Sequence, residues 1–149
     1  MTPTILSRQS RRLLQIGAAL LLYSSLEGFA IPYLQSPRLG LSVHTLSAYE
    51  AVLLMVLGLV WPRLTLGPIG ARLGCWVLVY SALSILAAYT LAAAWGVGIE
   101  TIKLAGELPD GLTQGTPFQE TAIKAIGYSS AMGVLAFALI LNGLIGAPR

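Results

Sequence analysis

LGCWVLVYSALSILAAYTLAAAWGV, residues Leu73 to Val97, runs for 25 residues without an Asp, Glu, Lys or Arg. A helix rises about 1.5 Å per residue, so about 17 to 25 apolar residues cross a hydrocarbon core of about 30 Å. The stretch is long enough for one crossing. It is continuously apolar rather than alternating, which selects a helix over a strand of a membrane barrel. Three comparable runs lie around it. Leu13 to Ile31 spans 19 residues and stops at Pro32, Thr45 to Trp61 spans 17 and stops at Pro62, and Ala125 to Ile145 spans 21. The expected fold is therefore all-α, an integral membrane four-helix bundle formed by 1–149 as a single domain. No internal repeat is visible.

Composition supports that reading. Soluble domains carry about a quarter charged residues, whereas this chain carries 10% with 56% hydrophobic residues and a mean hydropathy of +0.77. Disorder is excluded, since it needs low hydrophobicity and many charges. One Cys and one His in 149 residues exclude a disulfide framework, a four-cysteine zinc site and a multi-histidine metal site from a single chain. The first run is too long for a signal peptide, contains Glu27 and has no evident small-x-small cleavage site, so it reads as a retained helix.

Charge sets the expected orientation. Arg8, Arg11, Arg12, Arg63, Arg72 and Arg149 fall on one side with no acidic neighbour. Arg38, Lys103 and Lys124 share the other side with Glu100, Glu107, Asp110 and Glu120. By the positive-inside rule both termini are cytoplasmic. The location expected is a bacterial-type inner membrane, crossed several times. No basic cluster is dense enough to suggest nucleic acid. The connection Gly98 to Lys124 is 27 residues long and rich in Gly and Pro, long enough to cover the outer end of the bundle.

Ionisable groups inside a bilayer cost about 3 kcal/mol or more unless paired or hydrated, which makes them functional candidates. Glu27 lies near the outer end of helix one, where it either serves a site or reaches the interface. Glu50 lies within helix two, too deep to reach water easily, and reads as a functional group or a protonated structural carboxyl. His44 is expected at the outer start of helix two, as a ligand or an interfacial side chain. His44 and Glu50 are six residues apart, about 240° around a helix, so they do not share a face but can flank one pocket. Gln15 and Asn142 are expected to make interhelical hydrogen bonds. On helix three Trp76, Tyr80 and Ser84 share a face, with Ser81 beside it. Trp76 and Trp95 suit an interfacial belt, whereas Tyr89 sits about two turns deeper than Trp95. Small residues at four-residue spacing, Ala88/Ala92, Gly127/Ala131 and Ser129/Gly133, suggest close packing, and Cys75 reads as simply buried.

The segment SPRLGLSVH, Ser36 to His44, resembles the hydroxylaminobenzene mutase and styrene oxide isomerase family of small four-helix membrane isomerases. In the mutases a similar Pro-Arg-x-Gly-Leu segment leads into a His opening helix two. Arg11 and Arg12 before helix one, GLVW (Gly58 to Trp61) closing helix two and PFQE (Pro117 to Glu120) before helix four extend the likeness from about Arg11 to Gly146. The resemblance implies haem b bound within the membrane of a homotrimer, with His44 as the axial iron ligand. It implies ferric iron acting as a Lewis acid on a small apolar aromatic substrate, with no net redox change. An epoxide would open to a cationic carbon and give an aldehyde by hydride shift; in the mutase branch an aryl hydroxylamine would give an aminophenol. A substrate-orienting tyrosine falls on Tyr89.

Two positions depart from the family pattern. An Asn six residues after the His is Glu50 here, and an Asn four residues before the tyrosine is Ile85. Glu50 could act as an acid or base, offset the charge of ferric iron, or occupy the open iron position and stop the cycle. Two other function classes therefore remain open at this stage: a non-catalytic haem protein (a sensor or carrier), and a small oligomeric transporter using Glu27 and Glu50.

Overall fold

The computed structural model describes residues 5–102 and 115–146. Among these residues every regular element is helical. In chain order they are α1 (Ile5–Ala30), α2 (Pro37–Val60), α3 (Pro68–Trp95), α4 (Pro117–Ser129) and α5 (Gly133–Ile145). Short 3₁₀ turns follow α1 at Ile31–Tyr33 and α2 at Trp61–Arg63, and another joins α4 to α5 at Ser130–Met132. Four segments are long and apolar enough to cross a membrane: Ile5–Tyr33, Pro37–Arg63, Pro68–Trp95 and Pro117–Ile145. The all-helical four-span architecture expected from the sequence is the one observed.

Every span starts earlier than its apolar run. The sequence predicts α2 from Thr45, yet it begins at Pro37. Ser36 caps it, its hydroxyl accepting from the Leu39 amide at 3.4 Å. Proline is favoured in a first helical turn, where its missing N–H would have no partner. α3 likewise begins at Pro68 rather than Leu73. α4 begins at Pro117 rather than Ala125, through a capping box in which Thr116 and Gln119 satisfy each other's backbone amides. PFQE is thus the first turn of a helix rather than a segment before it. α1 starts at Ile5, so Arg8, Arg11 and Arg12 are helical. The expected connection over 98–124 is correspondingly shorter, and 103–114 lies outside the described residues.

The fourth span is not one continuous helix. Ser129 and Ser130 bond back to the carbonyls of Ile126 and Gly127 at 2.7 and 2.6 Å, and the chain tightens into its 3₁₀ turn there. The Ser130 carbonyl is satisfied from α3, where the Ser81 hydroxyl donates to it at 2.6 Å, while Tyr80 donates to the Ser129 hydroxyl at 2.9 Å. Backbone irregularity inside a membrane needs such substitutes for lost helical bonds.

α3 is the central helix. Half of its apolar window is buried, against 22–28% for the other spans. It packs between α2 and the α4–α5 pair, while α1 leans mainly on α2. The small residues do allow close approach: a Cβ on Gly127 would sit 3.7 Å from that of Ala88, and one on Gly17 would collide with Met55 and the Ala51 carbonyl. Gln15 and Asn142 are exposed on the outside of the bundle instead of bridging helices. A different glutamine bridges them. Buried Gln9 donates to the Ala71 carbonyl at 3.1 Å and accepts from the Trp61 indole at 3.0 Å, joining α1, α2 and α3 near the termini. Cys75 is buried and free, as expected.

Candidate functional site

His44 lies two turns inside α2 rather than at its start, because the helix begins at Pro37. Its environment comes from α1. Nδ1 lies 2.9 Å from the Ser24 carbonyl oxygen. A carbonyl only accepts, so Nδ1 carries the proton and donates it. The Ser24 hydroxyl returns the bond, donating to the His44 carbonyl at 2.9 Å. The ring is thereby fixed in orientation, and in its neutral form Nε2 carries the lone pair.

One helical turn beyond Ser24, Glu27 is buried, with Oε2 at 3.6 Å from Nδ1. Neither of its oxygens has a hydrogen-bond partner within the described chain. A buried carboxylate without partners is costly, and the nearest compensating group is the imidazole. Gly28 completes the cradle: a Cβ there would lie 3.3 Å from both Cε1 and Nδ1 of His44, so a larger residue would press on the ring.

The outer side of His44 borders a groove of about 680 Å³ along α2, lined by Thr45, Ala48, Tyr49, Val52, Leu53 and Val56. A second groove of about 590 Å³ lies between α2 and α3 and contains Glu50, Tyr89 and Ile85. Thr45, Tyr49 and Leu53 border both, so they form a ridge between them. Tyr49 at its crest is 77% exposed. Within one chain His44 therefore faces one groove while Glu50 and Tyr89 face the other. The spacing argument that His44 and Glu50 lie on different faces of the helix holds, and each face has its own apolar groove. Ile85 and Glu50, the two departures from the family pattern, line the same groove as Tyr89.

Sequence spacing offers no pointer to Ser24 or Gly28, because both reach His44 across a helix pair. Glu27 is visible as an intramembrane carboxylate, but its partner is not. Glu120, read at first as part of a charged connection, is buried in α4, where Oε1 accepts from the Gly98 amide at 2.9 Å and pins the turn after α3. Among the described residues no cluster of three or more His, Cys, Asp or Glu could hold a metal ion by itself. A metal held here needs most of its ligands from elsewhere, as an iron within a macrocycle does. The proton committed at Nδ1, the free Nε2 and the adjacent apolar groove fit an axial imidazole for such a group.

Comparison with known proteins gives a consistent picture. Residues 9–145 match the family described as styrene oxide isomerase. The chain is 36% identical over 148 residues to hydroxylaminobenzene mutase HabB of Ectopseudomonas oleovorans, covering 99% of this chain and 88% of that protein. It is 29% identical over 133 residues to hydroxylaminobenzene mutase HabA of the same organism, covering 89% and 94% respectively. No solved structure matches it significantly.

Proposed function

Since this chain belongs to the styrene oxide isomerase family and is an isomerase, we propose that it rearranges a small apolar aromatic substrate inside a bacterial-type inner membrane. The rearrangement turns an aryl hydroxylamine into an aminophenol, or an aromatic epoxide into an aldehyde. The 36% identity to a hydroxylaminobenzene mutase favours the first. The observation that carries the reading is His44, whose Nδ1 is bonded to the Ser24 carbonyl at 2.9 Å and whose ring borders an apolar groove.

The cofactor we propose is haem b, whose iron His44 Nε2 would hold. When bound, haem b supplies a ferric Lewis acid that polarises the substrate oxygen. The rest is work for the chain. Ser24 and Glu27 would hold the imidazole from its Nδ1 side, which leaves Nε2 as the atom aimed at the group. The apolar lining keeps bulk water from capturing a cationic intermediate. In the hydroxylamine reaction the N–O bond breaks, a ring C–O bond forms, the ring carbon loses a proton and the nitrogen gains one, so atoms balance without an external oxidant. Glu50 is the base for the ring proton, and the Tyr89 hydroxyl orients the polar end of the substrate. This gives the Glu for Asn departure a chemical purpose, while Ile85 makes that groove more apolar.

His44 and Glu50 face separate grooves of one chain, so the reaction needs the two grooves to meet. We propose that they meet between copies in a homotrimer, the groove of His44 in one protomer facing the groove of Glu50 and Tyr89 in its neighbour. The experiment is a visible spectrum of the purified protein with an assay on an aryl hydroxylamine. A Soret band that is lost in His44→Ala, with aminophenol formed by the wild type, supports the reading. A protein that forms no Soret band after haem is supplied overturns the cofactor assignment. Glu50→Gln should keep the band and lose about a hundredfold in turnover, the usual contribution of a general base. Co-expressed His44→Ala and Glu50→Gln chains should regain part of the activity that each lacks alone. Absence of recovery in verified mixed oligomers would refute the shared site.

A further inference from the structure

The seam between α1 and α3 on the side away from these grooves has a different chemistry at its two ends. At the end bearing the start of α1, a pocket of about 190 Å³ is lined by Ile5, Arg8, Gln9 and Arg12 of α1 and by Arg72 and Trp76 of α3. Three guanidinium-bearing residues converge there. Every acidic residue among those described, Glu27, Glu50, Glu100 and Glu120, lies far along the helices or at the opposite end, so no carboxylate side chain among the described residues balances the pocket. Gln9 is already committed to Ala71 and Trp61, which leaves the arginines to face an external anion. Arginine suits phosphate in particular, because its planar fork donates two parallel hydrogen bonds.

α1 and α3 both start at this end, so they run parallel, and the same seam continues into an apolar groove of about 540 Å³. Ile16, Ala19 and Leu20 of α1 and Leu83, Leu86 and Ala87 of α3 are among its walls. Tyr23 and Thr90, hydrogen-bonded at 3.2 Å, mark the far end. From Arg12 to Tyr23 the helix rises about 16 Å at 1.5 Å per residue, close to one leaflet of a hydrocarbon core of about 30 Å. Trp76 is exposed beside the arginines, where an indole belongs at headgroup depth.

We propose that this seam is a binding site for one anionic phospholipid, its phosphate held by Arg8, Arg12 and Arg72 and one acyl chain lying in the groove up to the Tyr23–Thr90 pair. Charge selects the headgroup, and the collinear apolar groove of leaflet length selects a lipid over a free anion. The site stands apart from the isomerase groove and does not depend on the reading of that groove.

The test uses the full chain in neutral detergent, with phosphatidylglycerol, phosphatidylcholine and inorganic phosphate added separately. Retained lipid is counted by native mass spectrometry, and binding is followed by the rise in melting temperature. Phosphatidylglycerol should be retained at one per chain and phosphatidylcholine should not. Arg12→Gln with Arg72→Gln should weaken phosphatidylglycerol binding about thirtyfold, from about 1 kcal/mol per arginine at an anionic headgroup. Both side chains are exposed, so the pair leaves the core intact. Ala87→Trp, which fills the groove and keeps every arginine, should also reduce retention. Stabilisation by inorganic phosphate equal to that by phosphatidylglycerol would make the site a simple anion pocket and overturn the lipid assignment. Unchanged retention in either variant would do the same, as would a covalent dimer formed through Ala87→Cys, which would show a second copy seated on the seam.

Discussion

Near the termini, Gln9 of α1 uses both halves of its amide, donating to Ala71 and accepting from Trp61. Near the far end of the same helix, Ser24 and Glu27 meet His44, and there the accounts do not balance: the Glu27 carboxylate is buried with no hydrogen bond to either oxygen. Both clusters fasten α1 to α2. The Gln9–Trp61–Ala71 set is closed among its own polar atoms and contributes stability. An open one carries a cost in the isolated chain that a bound group can offset, and it leaves Nε2 of His44 available. Polar residues in a membrane protein separate by that criterion better than by their depth or charge.

The contrast can be broken from either side. The largest effect expected is that of His44→Ala, which should lower kcat/KM by about a thousandfold, equivalent to about 4 kcal/mol of transition-state stabilisation. Its melting temperature without cofactor should stay close to that of the wild type, a point checked by thermal scans of the purified apoprotein. Trp61→Ala is the counterpart at the closed cluster. Trp61 is fully buried, and its removal should cost about 3 kcal/mol in denaturant titrations while leaving the absorption spectrum of the surviving folded protein unchanged. Gln9→Leu keeps the volume, strands the buried indole N–H of Trp61 and removes the second bond to the helical Ala71 carbonyl, which should cost about 2 kcal/mol by the same titration. Smallest in stability is Glu27→Gln, which removes a charge that nothing hydrogen-bonds. The apoprotein should melt no lower than the wild type, whereas affinity for the proposed haem, measured by transfer to apomyoglobin, should fall about tenfold as His44 loses an outer partner. If Glu27→Gln instead destabilised the apoprotein as much as Gln9→Leu does, the two clusters would be of one kind.

The four crossings are legible in the sequence because length and apolarity alone define them, and TLGPIGARLG shows where that legibility stops. Pro68 reads as a loop residue when apolar runs are the only guide, yet proline at a first helical turn starts α3. The same physics moves the start of α2 to Pro37 and carries His44 from the rim to two turns within the helix. The break at Ser130–Met132 is hidden because two serines in an apolar run look like packing residues until their hydroxyls are seen bonding backward. Glu50 stands out from the sequence alone as an intramembrane carboxylate, whereas the likeness to the isomerases is what gives His44 and Tyr89 their expected roles. That Glu50 and Tyr89 share a groove with Ile85, and that His44 does not, depends on how α3 seats against α2, which no spacing along one helix encodes.

The bond that aims the imidazole ends on the main-chain oxygen of Ser24, and this affects how the site would register in genetics. Every amino acid brings that oxygen, so substitutions at position 24 can discard the hydroxyl and still present the acceptor. Ser24 is buried, so a mutational scan of α1 would score other small residues there as tolerated. The constraint would surface instead at Gly28, one turn further on, where even a methyl group crowds the ring.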